Sequence, residues 1–290
     1  MPPCSLGVRV RTSPGLRRVM PTRPLVARAE RRGRASWERN ARARDRARAT
    51  IEAIVAGTPR AGELEELARL HVIEASVDRT LFWQPWSARI DERSAARLRE
   101  ALTGERGVIL SACHLGAFYR SMYALPVKRG LQYSVVGPWF LQEPSHDYWG
   151  RRVARMRRGA LGRPVLSTGS FPILLALLSR GESMYLFYDL PGRRETPFLG
   201  KTATLADGSA RLAVEADALV LALRARRAGH EVWVDVAAAL DPRELADVGQ
   251  MHAALAAVHE RWILEEPAAL ADPNSFGWEH GATARAWVRP

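Results

Sequence analysis

The stretch Gly107-Val-Ile-Leu-Ser-Ala-Cys-His114-Leu-Gly-Ala-Phe-Tyr119 decides how this sequence is interpreted. Its apolar half is short, aliphatic and bounded by glycines, which is typical of a buried parallel strand. His114 follows at the end of that strand, where functional groups collect in open α/β sheets. An imidazole there can take a proton from a bound hydroxyl or amine at neutral pH. A hydrogen-bonded structural role for the same histidine is the alternative, and the strand alone does not decide between them.

Strands and helices alternate along the rest of the chain. The predicted strands cover residues 108–112, 133–136, 164–167, 183–188, 219–223 and 231–236. The predicted helices between and after them cover residues 118–129, 148–158, 171–179, 209–216 and 251–264. Because this alternation is typical of parallel sheets with right-handed crossovers, we predict an α/β fold with a mostly parallel central sheet flanked by helices.

An N-terminal helical preface is predicted before this core. Apolar residues recur there at helical spacing, and three helices are expected, at residues 36–56, 61–84 and 94–102. We therefore divide the chain into a basic, flexible leader at 1–35 and a single α/β domain at 36–290. Within that domain the helical preface covers residues 36–104 and the core covers residues 105–290.

The net charge of +12 is concentrated near the N-terminus. Residues 1–50 contain fourteen arginines and three acidic residues, a net of +11, so the rest of the chain is almost neutral. Such a segment could contact anionic lipid headgroups, with about 1 kcal/mol from each basic residue near the surface, or it could simply be solvated. Nucleic-acid binding is disfavoured, because Trp37 is the only aromatic residue among these arginines.

The composition also indicates the cellular compartment in which the protein works. Two cysteines, Cys4 and Cys113, are too few for a disulfide framework, which fits a reducing environment. No segment reaches the roughly 18 apolar residues that a membrane span requires, and residues 1–20 lack the apolar centre of a secretory signal. We expect a cytoplasmic protein whose contact with the inner face of the plasma membrane is at most peripheral.

Further blocks follow His114 in a characteristic order. A second block runs from Leu174 to Asp189, and a third comprises Thr196-Pro-Phe-Leu-Gly200, Thr204 and Gly208-Ser-Ala-Arg-Leu-Ala213. Together with His114-Leu-Gly-Ala-Phe-Tyr119, this succession resembles the glycerolipid-type acyltransferases and their His-x4-acid motif. It is most similar to the branch that contains lipid A late acyltransferases and phosphatidylinositol mannoside acyltransferases, over about residues 35–285.

The resemblance implies an activity. A fatty acyl group would move from acyl-CoA or acyl carrier protein, as co-substrate, to a hydroxyl or amine. The acceptor would be a lipid, such as a glycolipid, or a small-molecule specialised metabolite. Neither a metal nor a redox cofactor is expected. The alternative is a catalytically altered homologue that acts as a lipid-binding or acyl-carrier-binding protein.

The same resemblance assigns His114 as the general base and places Tyr119 where the family has its acid. A phenol, with a reference pKa near 10, is normally neutral at pH 7 and cannot supply the charge of a carboxylate. Three interpretations stay open. In the first, another carboxylate orients His114, and Asp189 at the end of a neighbouring strand is the first candidate. In the second, the acceptor is an amine or another nucleophile that needs less activation. In the third, the protein has lost acyl transfer and has kept only the binding site. Asp189 could instead be a turn residue before Pro-Gly.

Five residues are candidates for substrate binding. Arg158, in a basic predicted helix, and Arg193, next to the Asp-Leu-Pro-Gly turn, could each meet a phosphate or lie on a solvated surface. Phe198, Gly200 and Thr204 match a family loop that lines the site, with Phe198 expected to pack rather than react.

The remaining cysteine and histidines are expected to have other roles. Cys113 adjoins the proposed base, but neighbours on a strand point to opposite faces, so we predict a core residue rather than a nucleophile. His146, His252, His259 and His280 lack metal-ligand spacing, so no metal site is predicted.

Overall fold

The computed structural model describes residues 20–81, 88–118, 133–137, 163–166 and 171–271. The α-helices in these ranges are α1 (Thr22–Arg39), α2 (Ala41–Val55), α3 (Leu64–Leu81), α4 (Glu92–Thr103), α5 (Phe171–Leu178), α6 (Gly208–Ala216) and α7 (Val248–Glu265). The strands are β1 (Ala88–Ile90), β2 (Val108–Gly116), β3 (Tyr133–Gly137), β4 (Arg163–Leu166), β5 (Ser183–Phe187), β6 (Pro191–Phe198), β7 (Lys201–Leu205), β8 (Leu219–Ala228) and β9 (Glu231–Val236). The helix predicted at 148–158, and all but the first residue of the one at 118–129, lie outside the described residues.

Seven strands form the central sheet, in the order β1-β9-β8-β2-β5-β3-β4. The strands β8, β2, β5, β3 and β4 run parallel, whereas β9 is antiparallel to β8. The predicted mostly parallel α/β sheet is therefore confirmed. Strand β2 lies between β5 and β8, and its aliphatic run is buried on both faces, as parallel central strands require.

Helices cover both faces of the sheet and enclose two apolar clusters. Helices α2, α5, α6 and α7 pack on the face that receives Ile109 and Cys113 of β2. Helices α1 and α4, with the end of α3, pack on the opposite face, which receives Val108 and Leu110. None of the helices in the described ranges is long and apolar enough to cross a membrane.

The helical region begins earlier than the sequence predicts. Helix α1 covers residues 22–39, so residues 22–35 of the predicted flexible leader belong to the folded preface instead. The helix packs closely on α3 at Gly33, where an added Cβ would lie 2.6 Å from the Cα of Ile73. This contact depends on residues forty positions apart, and the high arginine content of α1 conceals it in the sequence.

The predicted site-lining loop after Asp189 is a β-hairpin formed by β6 and β7. Its two turn residues, Leu199 and Gly200, both have positive φ angles, 54° and 70°. This combination favours tight hairpins because its twist matches that of the strands. Gly200 also lies against Gly57, and a Cβ there would be only 2.1 Å from the Gly57 carbonyl oxygen. Backbone geometry therefore requires glycine at position 200.

Candidate active site

A bulge near the end of β2 sets the position of His114. The strand pairs regularly with β8 up to Ala112, and its register then shifts before Gly116 pairs with Ala225. Gly116 has a φ angle of 58°, and a Cβ there would lie 2.5 Å from the Ala225 carbonyl oxygen. Bulges of this kind redirect side chains at the ends of strands. The strand thus extends four residues beyond its predicted end at Ala112 and includes the histidine.

Asp189 holds His114 through two hydrogen bonds. The backbone N–H of His114 donates to Oδ2 at 2.7 Å, and the ring Nδ1 donates to Oδ1 at 2.9 Å. The Asp189 carboxylate is fully buried, whereas 30% of the His114 side chain is exposed. The N–H of the neighbouring Tyr188 donates to the Ala112 carbonyl at 2.8 Å. This hydrogen bond extends the pairing of β5 with β2 to the residue before Asp189.

This arrangement determines what the imidazole can do. An ionised carboxylate can only accept hydrogen bonds, so the proton of neutral His114 lies on Nδ1. Nε2 then carries the lone pair on the opposite side of the ring. A carboxylate-oriented imidazole with an unprotonated Nε2 can accept a proton from a bound hydroxyl or amine.

Two phenylalanines fix the plane of the His114 ring. Phe187 of β5 stacks on the ring, with centroids 4.2 Å apart and planes 12° apart. Phe118 contacts it edge-on at 4.7 Å and also contacts Phe187 at 5.4 Å. Both phenylalanines pack against the cluster that contains α1 and α4. Helices α1 and α4 therefore cover the face of the sheet on which the His114 ring lies.

Cys113 lies on the opposite face and is buried, as strand alternation predicts. Burial, together with the nearby charge of Asp189, raises the pKa of its thiol well above the ordinary value. Because the thiolate is the reactive form of cysteine, this protonated thiol is not a nucleophile at neutral pH.

Behind Cys113 lies a buried polar network that the sequence analysis missed. Ser111 Oγ is 3.1 Å from Nε2 of His259, and the Tyr188 ring stacks on that histidine with centroids 5.0 Å apart. On its other side Tyr188 contacts His252, whose Nε2 lies 2.7 Å from Thr196 Oγ1. The only signal in the sequence is the spacing of the two histidines, seven residues apart on the buried face of α7.

Both histidines of this network are held neutral. Burial lowers the pKa of His259 to about 4, and burial with the charge of Arg194 lowers that of His252 to about 4. The Nδ1 of His252 is buried and has no hydrogen-bond partner among the described residues. An uncharged imidazole tolerates such an environment far better than an imidazolium would.

The predicted binding residues are spread over the hairpin. Arg193 is exposed on β6, Thr204 is half-buried on β7, and Gly200 lies in the turn. Phe198 is buried in the core, where its ring centroid lies 6.2 Å from that of Tyr188. Two predicted site residues lie outside the described part of the chain, Tyr119 and Arg158.

Among the residues that are described, no group of three His, Cys, Asp or Glu side chains could hold a metal ion.

Comparison with known proteins identifies the family. The family model of bacterial lipid A biosynthesis acyltransferases matches residues 18–270, a range that includes His114 and Asp189. Among solved structures the chain is similar to the 1-acyl-sn-glycerophosphate (LPA) acyltransferase PlsC from Thermotoga maritima, with a TM-score of 0.43 and 15% identity over 73% of this chain and 84% of that one. No curated protein matches the sequence. Since the family model covers most of its length, the chain belongs to the bacterial lipid A biosynthesis acyltransferase family and is an acyltransferase that acts on lipids.

Proposed function

We propose that the protein transfers a fatty acyl group from acyl-CoA or acyl carrier protein to a hydroxyl or amine of a glycolipid or specialised metabolite. His114 is the general base in this proposal, and the reaction uses neither a metal nor a redox cofactor. The observation that carries it is the 2.9 Å hydrogen bond between His114 Nδ1 and the buried Asp189 carboxylate.

The proposed chemistry is a single acyl transfer. Nε2 of His114 takes the proton of the acceptor while the acceptor oxygen or nitrogen attacks the thioester carbonyl carbon. The carbon–sulfur bond then breaks, and the leaving thiolate recovers the proton from the imidazolium. The buried negative charge of Asp189 stabilises that imidazolium and keeps the ring in the correct tautomer.

Asp189 supplies the charge that the motif itself lacks. The family acid position is Tyr119, whose phenol is normally neutral at pH 7. Asp189 lies two residues after the end of the neighbouring strand β5, and it contacts both the ring and the backbone of His114. This geometry favours orientation by a different carboxylate over loss of catalysis.

The aromatic wall around His114 supports transfer to an acceptor over hydrolysis. Phe118 and Phe187 cover two sides of the ring and leave less than a third of the side chain exposed. Restricting water near a reactive thioester limits its hydrolysis and strengthens the electrostatic effect of Asp189.

The proposal includes peripheral contact with an anionic membrane through α1 and α2. These helices expose eight arginines that form no ion pair with a described residue: Arg23, Arg28, Arg31, Arg32, Arg34, Arg39, Arg42 and Arg46. Glu30, the acid nearest the middle of α1, pairs instead with Arg227 at 2.9 Å. A lipid acceptor bound at α1 would lie on the same side of the central sheet as the His114 ring, because α1 packs on that face.

Acyl transfer measured by mass spectrometry tests the catalytic proposal. Wild type, His114→Ala and a control, His230→Ala at an exposed hairpin turn, would be incubated with acyl-CoA and acyl carrier protein donors and a lipid extract. We expect an acylated product from wild type and His230→Ala that His114→Ala does not form. Donor binding without product in any variant would instead support a lipid-binding or acyl-carrier-binding protein.

Vesicle cosedimentation tests the membrane contact. We expect wild type to bind phosphatidylglycerol vesicles and to dissociate as salt is raised. Neutralising Arg28, Arg31, Arg32 and Arg39 to glutamine should weaken binding by about tenfold or more. A variant with four glutamines at other arginines (Arg69, Arg99, Arg180 and Arg211) should bind like wild type, and equal losses in both variants would refute a specific surface.

A further inference from the structure

A polar pocket of about 500 Å³ lies at the edge of the central sheet, where β1 ends and β9 continues. Its walls come from the start of α4, the end of β9, β8 and the last turns of α7. Four arginines converge on it: Arg93, Arg97, Arg224 and Arg261. The pocket is separate from the His114 site, because β8 lies between β9 and β2.

The acidic residues of this pocket are already engaged. Asp235 accepts hydrogen bonds from Arg224 at 2.8 Å and from Arg226 at 3.0 Å. Asp91 caps α4, with one carboxylate oxygen 2.8 Å from the Ser94 N–H and the other 2.8 Å from its hydroxyl. Asp235 is ion-paired with Arg224 and Arg226, whereas the Ser94 donors of Asp91 are neutral, so Asp91 keeps its negative charge without forming an ion pair with a described arginine.

Three of the four arginines have no acidic partner among the described residues. Arg93 on α4 and Arg261 on α7 are exposed and form no ion pair with any described residue. Arg97 is half-buried and donates one N–H, from Nη1, to the Val236 carbonyl at 2.7 Å. The pocket therefore presents guanidinium groups from α4 and α7 that no ion pair with a described residue compensates.

We propose that this pocket binds a phosphate monoester through Arg93, Arg97 and Arg261. A phosphate monoester is close to a dianion at neutral pH, which matches the charge that these arginines leave uncompensated. Planar guanidinium groups recognise phosphate oxygens in bidentate fashion, and they do so better than ammonium groups. The pocket volume lies within the range of about 300–1,000 Å³ that is usual for small-molecule sites.

The inference does not rest on acyl transfer by His114, since binding can be measured without turnover. The phosphate could belong to a nucleotide-containing acyl donor, to a lipid headgroup or to free inorganic phosphate. These sources share the same recognition chemistry and can be separated by probes.

Isothermal titration calorimetry with the full chain tests the site. The probes are adenosine 3′,5′-bisphosphate, glycerol 3-phosphate and inorganic phosphate, in about 0.15 M salt, where exposed charges are largely screened. We expect wild type to bind at least one probe, and Arg93→Gln/Arg261→Gln to bind it about tenfold more weakly or worse. The probe that binds most tightly identifies the source of the phosphate.

The control variant is Arg180→Gln/Arg211→Gln, which removes the same charge from exposed positions after α5 and on α6. It should bind the probe like wild type, and thermal melting should show that both variants are folded. The proposal would be overturned if no probe bound wild type, or if both double variants lost affinity equally.

Discussion

The two faces of β2 hold histidines in opposite chemical settings. On one face, His114 is partly exposed and hydrogen-bonded to the buried carboxylate of Asp189. On the other face, His252 and His259 are buried, and they form hydrogen bonds with the hydroxyl groups of Thr196, Tyr188 and Ser111. The residue type is the same, but only His114 combines an anionic partner with access to solvent.

This difference indicates how the fold separates reactivity from packing. An imidazole that must change its charge during a reaction needs a counter-ion and an opening to its substrate. A histidine that only satisfies a buried hydroxyl is most stable when it stays neutral. A sequence motif cannot make this distinction, whereas partners and burial can.

The largest effect should follow from removing the charge on Asp189. Asp189→Asn keeps an oxygen that can accept from the His114 backbone but removes the negative charge opposite Nδ1. We expect kcat/KM to fall by about 10²–10⁴-fold, the range typical of general-base catalysis. Steady-state kinetics with a thermal melt would check this. Near-wild-type activity in the folded variant would place the orienting group elsewhere.

The buried histidines should instead make stability depend on pH. Their pKa is lowered to about 4 in the folded state, whereas unfolded histidine titrates near 6.5. Between these values the unfolded chain binds more protons, so the free energy of unfolding should fall as pH falls. The expected slope is about 1.4 kcal/mol per pH unit for each histidine. Urea unfolding from pH 7 to pH 4 would measure it, and His259→Phe should remove about half of this contribution.

A smaller effect is expected from the hydrogen bond between Ser111 and His259. His259→Phe leaves the buried Ser111 hydroxyl without that partner, which should lower the free energy of unfolding by about 1–3 kcal/mol. The double variant Ser111→Ala/His259→Phe removes both partners and should recover much of the loss. Denaturant unfolding of the set would test this, and no recovery would indicate that altered packing, rather than the hydrogen bond, causes the loss.

The smallest effect should come from the stacking of Phe187 on His114. Phe187→Leu keeps an apolar side chain but loses the ring that lies 4.2 Å from the imidazole. Aromatic contacts of this kind contribute about 0.5–1.5 kcal/mol, so kcat should fall by about two- to tenfold. Kinetics at saturating acceptor would measure it, with Phe171→Leu on α5 as the control. A loss as large as that of Asp189→Asn would mean that Phe187 contacts the substrate.

Much of this fold follows from local patterns. The largely apolar runs at β2, β5 and β8 predict parallel strands, and His114 and Asp189 are candidates because each follows such a run. The extension of β2 to Gly116 was missed, because it depends on pairing with Ala225, more than a hundred positions away.

Other features depend on contacts that a sequence pattern does not contain. Helix α1 is stabilised by packing at Gly33 against α3, and its arginines conceal that apolar contact. Strand β6 begins Pro-Gly-Arg-Arg, a composition typical of loops. The link from Ser111 to His259 joins residues 148 positions apart. For α1 and for Ser111 the deciding partner is distant in sequence, whereas β6 pairs with β7, the next strand along the chain.

The most direct test of the comparison is kcat/KM per folded molecule for His114→Gln beside His259→Phe. We expect a loss of about 10²-fold or more for His114→Gln with little change in melting temperature. We expect the reverse for His259→Phe, which should lose stability but keep kcat/KM within about threefold once corrected for the folded fraction. Equal losses of kcat/KM in the two variants, or an active His114→Gln, would contradict the assignment of His114 as the base.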